Sequence, residues 1–348
     1  MTEEPAHPIV RSSTPVRAFD NIGDVAAVAV FPDRQRMATN SSDGMLRLWD
    51  LKNGVMLKEM DGHGAAMAEM ALSRDGQLIA SSDCAGYVFT WHGETDRPVT
   101  QAFKAHTSSC SLAFSPDGAT LATGSSDSTI KLWSTETWQL QGQPINLGDS
   151  SSSVNCVRYS PSGEHLAIAT QYAGIQIWDP VKKHRIANLG QGAASLVWTS
   201  DGTRLLSGDS HSIQQWHSST WKQVGDIWKS NTSYPRRFAM NCNGTVVASL
   251  TTDNHVRLWR LSDRRTIAIF HHSDSPYCVT FSMDGKYILA GGKDKKILEW
   301  AVPEHAWPED ALKDQATRQG QDSDTKAKSS YTEIQDSETK ACFHSRLL

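Results

Sequence analysis

Short apolar stretches alternate with polar turns along most of this chain, and residues 115–133 show the pattern most clearly. That stretch reads SPDGATLATGSSDSTIKLW. A Pro-Asp-Gly turn precedes a short apolar strand, and a Ser-Ser-Asp turn at 125–127 leads to a second strand in which Ile130 and Leu132 alternate with polar residues. Alternation at period two between turn residues predicts consecutive antiparallel strands.

The pattern recurs seven times, and each copy is closed by a tryptophan. These tryptophans are Trp49, Trp91, Trp133, Trp178, Trp216, Trp259 and Trp300. The third residues of the upstream turns are Asp33, Asp75, Asp117, Ser162, Asp201, Asn243 and Asp284. Turn and tryptophan lie 16 residues apart in six copies and 15 apart in the fifth. A repeat of about forty residues that contains four strands is typical of a β-propeller blade.

Two dipeptides add a family resemblance to this periodicity. Trp49-Asp50 and Trp178-Asp179 close two of the copies, and the pair Gly62-His63 precedes the second. With these motifs, residues 15–301 resemble the WD-repeat (tryptophan–aspartate repeat) β-propeller family. The resemblance implies an all-β fold, a single seven-bladed β-propeller. It indicates little about function, because this architecture hosts many unrelated roles.

The seventh copy has no fourth strand of its own. Pro303 and Pro308 follow its tryptophan, and proline discourages a strand within a ladder. The segment PVRAFD at 15–20 matches the outer-strand segments of other copies in position and character. We therefore predict that an N-terminal strand completes the seventh sheet and closes the ring, which also protects sheet edges.

Composition and this closure divide the chain into three segments: a flexible N-terminal arm at 1–14, the propeller at 15–301 and a polar, disordered tail at 302–348. From Glu304 onward there are nine acidic and six basic side chains, out of a formal net charge of −4 for the chain. The propeller is thus nearly neutral and lacks the basic surplus of a nucleic-acid-binding protein. We expect disorder in the tail apart from one short helix at 308–320.

The sequence indicates neither a membrane nor a secreted protein. The N-terminus is acidic where a signal peptide needs positive charge, and no run of eighteen apolar residues exists. The six cysteines form no Cys-x-x-Cys pair, and Cys156 and Cys278 occupy equivalent strand positions in separate copies. Free thiols fit a reducing compartment, so we expect the cytoplasm, with the nucleus as the alternative. No motif predicts a cofactor, and none predicts a metal site.

The family resemblance implies a hydrogen-bonded tetrad in each blade: a His before the inner strand, a Ser or Thr in the second strand, an Asp in the next turn and the tryptophan. The third copy matches with His106, Thr123, Asp127 and Trp133. The seventh has His272, Asp294 and Trp300, but Ala290 stands at the hydroxyl position. The second, fourth and fifth copies carry Ala85, Tyr172 and Ser210 at the Asp position, which predicts broken tetrads. A His, hydroxyl and Asp could form a catalytic triad, but their recurrence favours a structural role.

Unusual residues in loops carry more information about binding than packed ones. The candidates for partner binding are Tyr172, Trp228, Tyr234, Arg236, Arg237, Tyr277 and Lys293. Aromatic residues and arginine are enriched in interface hot spots. Packing between blades is an equal alternative for Trp228 and Tyr277, and only one of the adjacent arginines is expected to face a partner.

These observations favour a non-catalytic scaffold or adaptor that binds proteins or peptides, a monomer within a larger complex. One alternative is a substrate receptor of a ubiquitin-ligase complex, but the closest match to its Trp-Asp-x-Arg motif ends in Lys52, which cannot make the bidentate contacts of arginine. A propeller enzyme would need acids or a cofactor pocket at the channel mouth, and the sequence has no unique cluster of that kind. A further alternative is that the chain is a free-standing relative of the sensor arrays that follow nucleotide-binding oligomerisation modules. This alternative rests on resemblance alone.

Overall fold

The structure is a computed structural model of the chain, and it describes residues 8–148, 153–190, 192–208, 212–229 and 235–306. Residues 1–303 form one compact unit, and residues 304–348 form a second. Of the second unit the structure describes one turn of 3₁₀ helix, Glu304–Ala306. The predicted disorder of the tail and its predicted helix at 308–320 lie outside the described residues.

The described residues of the first unit form 29 strands in seven sheets, numbered here in chain order. Two N-terminal strands are β1 (Val10–Ser12) and β2 (Arg17–Asp20). Blade 1 contains β3 (Val25–Val30), β4 (Arg36–Ser41), β5 (Met45–Asp50) and β6 (Met56–Asp61). Blade 2 contains β7 (Met67–Leu72), β8 (Leu78–Asp83), β9 (Tyr87–His92) and β10 (Phe103–Lys104). Blade 3 contains β11 (Cys110–Phe114), β12 (Thr120–Ser125), β13 (Thr129–Ser134) and β14 (Ile145–Asn146).

The remaining blades repeat this order. Blade 4 contains β15 (Val154–Tyr159), β16 (Leu166–Thr170), β17 (Ile175–Asp179) and β18 (His184–Asn188). Blade 5 contains β19 (Ser195–Trp198), β20 (Arg204–Gly208), β21 (Ser212–His217) and β22 (Trp228–Lys229). Blade 6 contains β23 (Pro235–Met240), β24 (Val246–Thr251), β25 (His255–Arg260) and β26 (Thr266–His271). Blade 7 contains β27 (Pro276–Phe281), β28 (Tyr287–Gly292) and β29 (Lys296–Ala301). The prediction of an all-β, seven-bladed propeller is confirmed.

The apolar core lies between neighbouring blades. One four-stranded sheet cannot bury its faces alone, so each blade covers the next. Of the seven repeat tryptophans, six are buried, and Trp178 is half-buried against the same kind of cluster. Burial of one indole stabilises the fold by a gross amount of about 4–6 kcal/mol. The tryptophans therefore recur because every blade-to-blade junction needs a large apolar side chain.

The ring closes as predicted, through an N-terminal strand. β2 pairs antiparallel with β29 and supplies the fourth strand of blade 7. Phe19 on β2 is 2% exposed and packs edge-on against Trp49, with ring centroids 6.4 Å apart. Arg17 donates a hydrogen bond from Nη2 to Glu299 Oε1 at 2.9 Å, and its Nη1 donates to the carbonyl of Leu51 in blade 1. The first and last blades are thus joined by both backbone and side-chain contacts.

The N-terminal arm contains a strand that the sequence did not predict. β1 lies within the segment assigned to a flexible arm, and it pairs parallel with β26 on the outer edge of blade 6. Val10 lies opposite Ala268 in this register, and Ser12 lies opposite Phe270. Blade 6 therefore has five strands. Three residues are too few for a periodicity signal, and β1 forms because the open edge of β26 offers unpaired backbone groups.

Candidate functional site: the loop face and the central channel

The tetrad of blade 3 is a chain of hydrogen bonds from the indole to the carboxylate. Trp133 Nε1 donates to Thr123 Oγ1 at 3.0 Å, and Thr123 Oγ1 lies 2.7 Å from His106 Nε2. His106 Nδ1 lies 2.9 Å from an oxygen of Asp127. A carboxylate can only accept, so Nδ1 carries the proton and Nε2 accepts from the threonine hydroxyl. The network joins the loop before the inner strand to the turn between the second and third strands, which places both loop sets on one face.

Blade 2 has part of such a network, and an acid lies near its histidine although the expected Asp position is occupied by alanine. Ala85 does stand at the predicted Asp position, but Asp83 replaces it from the end of β8. His63 Nε2 lies 2.5 Å from Ser81 Oγ, and its Nδ1 lies 3.3 Å from Asp83 Oδ2. The acid was expected only at a fixed distance from the tryptophan, and Asp83 lies two residues before that position.

In blade 7 the network is interrupted at Ala290. Trp300 Nε1 and His272 Nε2 are both buried and have no hydrogen-bond partner among the described residues. His272 Nδ1 lies 3.0 Å from the carbonyl oxygen of Asp274 and 3.5 Å from Asp294 Oδ2. The missing hydroxyl therefore leaves two polar atoms unsatisfied in a site that is closed to water.

The networks cannot act as catalytic triads in this form. His106 is 2% exposed and Thr123 is 0% exposed, so no substrate reaches the hydroxyl that a triad would use as nucleophile. Burial lowers the pKa of His63, His106 and His272 below the ordinary value for histidine, although a nearby carboxylate opposes the shift in each case. Neutral histidines within hydrogen-bonded networks fit a structural role. Within the described parts of the chain, no three His, Cys, Asp or Glu side chains could hold a metal ion together.

The structure separates the seven predicted docking residues into different environments. Trp228 is 5% exposed and packs against Trp259, with ring centroids 6.3 Å apart, which corrects its assignment to the docking surface. Its large indole fills the junction between blades 5 and 6. Tyr234 and the side chain of Arg236 lie outside the described residues.

Three predicted residues do reach the loop face. Tyr172, in the turn after β16, is 70% exposed. Lys293 is exposed in the turn after β28, and Tyr277 is partly exposed near the start of β27. Blades 4 and 7 lie well apart around the ring, so these side chains do not form one patch. They mark separate points around the mouth of the channel.

The seventh predicted residue, Arg237, points into the channel. It belongs to a set of equivalent positions on the innermost strands, each six residues before the third residue of its turn, which we call the inner ring. The inner ring comprises Ala27, Glu69, Ser111, Cys156, Ser195, Arg237 and Cys278. Several members bond to the next blade: Ser111 Oγ accepts from the backbone N of Val157, and Ser195 Oγ accepts from that of Phe238, each at 3.2 Å.

Glu69 and Arg237 instead contact each other. Arg237 Nη1 donates to Glu69 Oε2 at 2.5 Å, and Arg158 Nη2 lies 3.6 Å from Glu69 Oε1. These residues come from blades 2, 6 and 4, none of which are neighbours, so their side chains can meet only inside the ring. Backbone register shifts at the starts of β7 and β23 re-aim the side chains there. An ion-pair network of two arginines and one glutamate therefore occupies the central channel.

The network leaves hydrogen-bond donors exposed in the channel. The side chains of Arg237 and Arg158 are 36% and 31% exposed, whereas that of Glu69 is 9% exposed. The negative charge of Glu69 raises the pKa of Arg237 above its ordinary value, so the guanidinium stays charged. Nη1 of Arg158 donates to the carbonyl of Val157 at 2.8 Å. Nε and Nη2 of Arg237 have no acceptor among the side chains and backbone that the structure describes.

Glu69 and Arg158 were not among the predicted site residues, although the sequence carries a signal for both. At the inner ring, the other positions carry small or neutral residues. Arg158 lies two positions further along β15, where the equivalent residues are Ala29, Ala71, Ala113, Val197, Ala239 and Thr280. Aligning the copies column by column would have shown three charges in otherwise neutral columns. That alignment would not have shown that the three side chains meet.

Comparison with known proteins shows that the chain is similar in sequence to one family model and to several otherwise different proteins. A family model described as the first β-propeller of IFT122 matches residues 24–300. The chain is 20% identical over 336 residues to telomerase protein component 1 of Mus musculus, covering 79% of this chain and 12% of that protein. It is 21% identical over 272 residues to autophagy-related protein 16 of Arabidopsis thaliana, covering 75% and 52% respectively. It is 23% identical over 283 residues to protein groucho of Drosophila melanogaster, covering 80% and 32%.

The chain spans from about an eighth to about half of the length of these three relatives. In the part of the chain that the structure describes, no helix has the length and hydrophobicity needed to cross a membrane.

Proposed function

The chain belongs to the WD-repeat β-propeller family, and from this premise we propose that it is a non-catalytic scaffold or adaptor whose loop face binds a protein or peptide. The observation that carries the proposal is the set of exposed aromatic and cationic side chains around the channel mouth, represented by Tyr172 at 70% exposure. Such residues anchor protein interfaces. The polar networks that could suggest chemistry are buried and serve the fold.

Two features of the blades support a docking role. The turns that carry Tyr172 and Lys293 are free of packing constraints, since the strands on either side of each turn already hold the blade together. The first unit is a ring of seven sheets that presents these turns at separate points around one opening. A partner can therefore contact several blades at once without reorganising the ring, which lowers the entropic cost of binding.

The proposal includes a location and an assembly state. Cys110, Cys156 and Cys278 are buried free thiols, and Cys84 and Cys242 are exposed free thiols, which supports a reducing compartment such as the cytoplasm. We propose a monomer that acts within a larger complex and binds neither nucleic acid nor membrane. Light scattering of the purified chain at micromolar concentration should give the mass of one copy.

The test compares a face variant with a rim variant. Tyr172→Ala with Lys293→Glu alters the loop face. Val181→Ala with Arg185→Gln alters exposed residues at the outer edge of blade 4. Quantitative affinity purification from cells should show the same proteins with wild type and the rim variant, and a selective loss with the face variant. Equal recovery from both variants, with circular dichroism unchanged, would argue against docking on the loop face.

A further inference from the structure

The wall of the central channel carries positive charge although the chain as a whole is acidic. The seven innermost-strand segments are 25–31, 67–73, 109–115, 154–160, 193–199, 235–241 and 276–282. The charged side chains that the structure describes on these segments are Glu69, Arg158 and Arg237, one negative and two positive, within a chain of formal net charge −4. Two arginines and one glutamate on a wall of otherwise neutral described residues indicate a preference for an anion in the channel.

The geometry leaves this charge only partly neutralised. Glu69 pairs with Arg237 and lies near Arg158, so the three described side chains retain a net charge of +1. Two cations that share one carboxylate have unused N–H groups, and those of Arg237 face the channel. The larger exposed fractions belong to the two arginines, while the carboxylate is nearly covered. An incoming group therefore meets donors and positive charge rather than the acid.

We propose that the channel receives a carboxylate side chain, Asp or Glu, from the partner peptide that docks on the loop face, with Arg237 and Arg158 as its hydrogen-bond donors. This inference rests on the proposed function. A planar guanidinium matches a carboxylate with two parallel hydrogen bonds. A lysine or arginine from a partner would be repelled, and an apolar plug would bury the unused donors without acceptors.

The depth of the two arginines suggests the order of contact. Arg237 is the third residue of β23, close to the end that adjoins the loop face. Arg158 is the fifth residue of β15, and the two extra residues place it about 7 Å further along the strand direction. The partner carboxylate would meet Arg237 first and Arg158 beyond it.

The test is a charge series in the channel of the full chain. Peptides would be selected on wild type from a display library of random 16-residue sequences, then synthesised with a fluorescent label. Their affinities would be measured by anisotropy for wild type, Glu69→Gln, Arg237→Gln and Arg158→Gln. Arg185→Gln, on the outer strand β18, is the matched control because it removes the same charge far from the channel.

We expect the selected peptides to contain an Asp or Glu whose replacement by the amide weakens binding roughly tenfold or more. Arg237→Gln should weaken binding of the acidic peptide by a similar factor. It should have little effect on binding of the peptide that carries the amide. Glu69→Gln should strengthen binding, because it removes the competing carboxylate. A variant that merely damaged the fold would not bind more tightly. Arg185→Gln should match wild type.

Different outcomes separate this inference from the proposed function. Selected peptides without acidic residues, or equal effects of Arg237→Gln on acidic and amide peptides, would overturn the carboxylate site and leave the docking role intact. Failure of wild type to enrich any peptide would count against both.

Discussion

Replacing Ala290 with serine should stabilise the propeller, although the change puts a polar group into a buried site. Ala290 is 0% exposed and stands where blade 3 has Thr123. Beside it, Trp300 Nε1 is a donor without an acceptor, and His272 Nε2 is an acceptor without a donor. His272 Nδ1 carries the proton because it faces the carbonyl of Asp274 at 3.0 Å. A serine hydroxyl can accept from the indole and donate to the imidazole at the same time.

The magnitude follows from the two unsatisfied atoms. A buried polar group without a partner costs about 1–3 kcal/mol, and a new hydrogen bond contributes a net ~1 kcal/mol. Desolvation of the added hydroxyl and crowding in a packed site offset part of this gain. Ser207 and Ser249 already accept from Trp216 and Trp259 at 2.8 Å in blades 5 and 6, so serine fits this position in two other blades. We expect a net stabilisation of about 1–2 kcal/mol.

The assay is urea unfolding followed by tryptophan fluorescence, with calorimetry as a second probe. The matched control is Thr123→Ala, which removes the corresponding hydroxyl from blade 3 and should destabilise by about 1–3 kcal/mol. The variant Trp300→Phe removes the indole donor, so Ala290→Ser in that background should lose much of its benefit. An unchanged or lower urea midpoint for Ala290→Ser would refute the reasoning, as would an equal gain in the Trp300→Phe background.

Three further predictions concern closure, acid and thiol chemistry. Deletion of residues 1–20 removes β1 and β2 and exposes the edge of β29, so the product should melt at lower temperature and aggregate in light scattering; a compact monomer of wild-type stability would contradict closure through β2. Acidification below the unfolded histidine pKa of about 6.5 should lower the free energy of unfolding. The buried histidines titrate at lower pH when folded, so the unfolded state binds protons first. Urea midpoints at pH 7.5 and 5.5 measure the loss. His106→Gln should reduce that pH dependence, and an unchanged slope would speak against the assignment. Burial raises the pKa of Cys278 to about 12, so iodoacetamide should modify exposed Cys84 well before it in peptide mapping at pH 8; equal rates would show that the junction beside Cys278 opens.

The regular parts of the fold could be predicted from the sequence because they repeat. Trp49 and its six equivalents lie at a fixed spacing from their turns, and each must fill the same junction between blades. Closure was predictable for a related reason: the seventh copy lacked a strand, and residues 15–20 matched the missing one. β1 was not predictable, because three residues carry no periodicity and pair only where β26 leaves an edge open.

The candidate site residues also divide into those whose exposure could be predicted from the sequence and those whose exposure could not. Exposure of Tyr172 followed from its place in a turn, whereas Trp228 has the composition of an interface residue and is buried between blades. The burial of Trp228 depends on the space between two sheets, and the local sequence carries no information about that space. Asp83 shows the same limit on a smaller scale, since it lies two residues before the expected position and still comes within 3.3 Å of His63 Nδ1.

The repeat by itself determined the number of blades, the place of closure and the role of the tryptophans, because these follow from local periodicity and from the need to cover each sheet. Only the tertiary structure decided that Glu69, Arg158 and Arg237 share one site. They are up to 168 residues apart in sequence and belong to blades that do not touch. The interaction between charged side chains depends on their distance in space, not on their separation in sequence. The circular arrangement of the blades brings these three together at the axis.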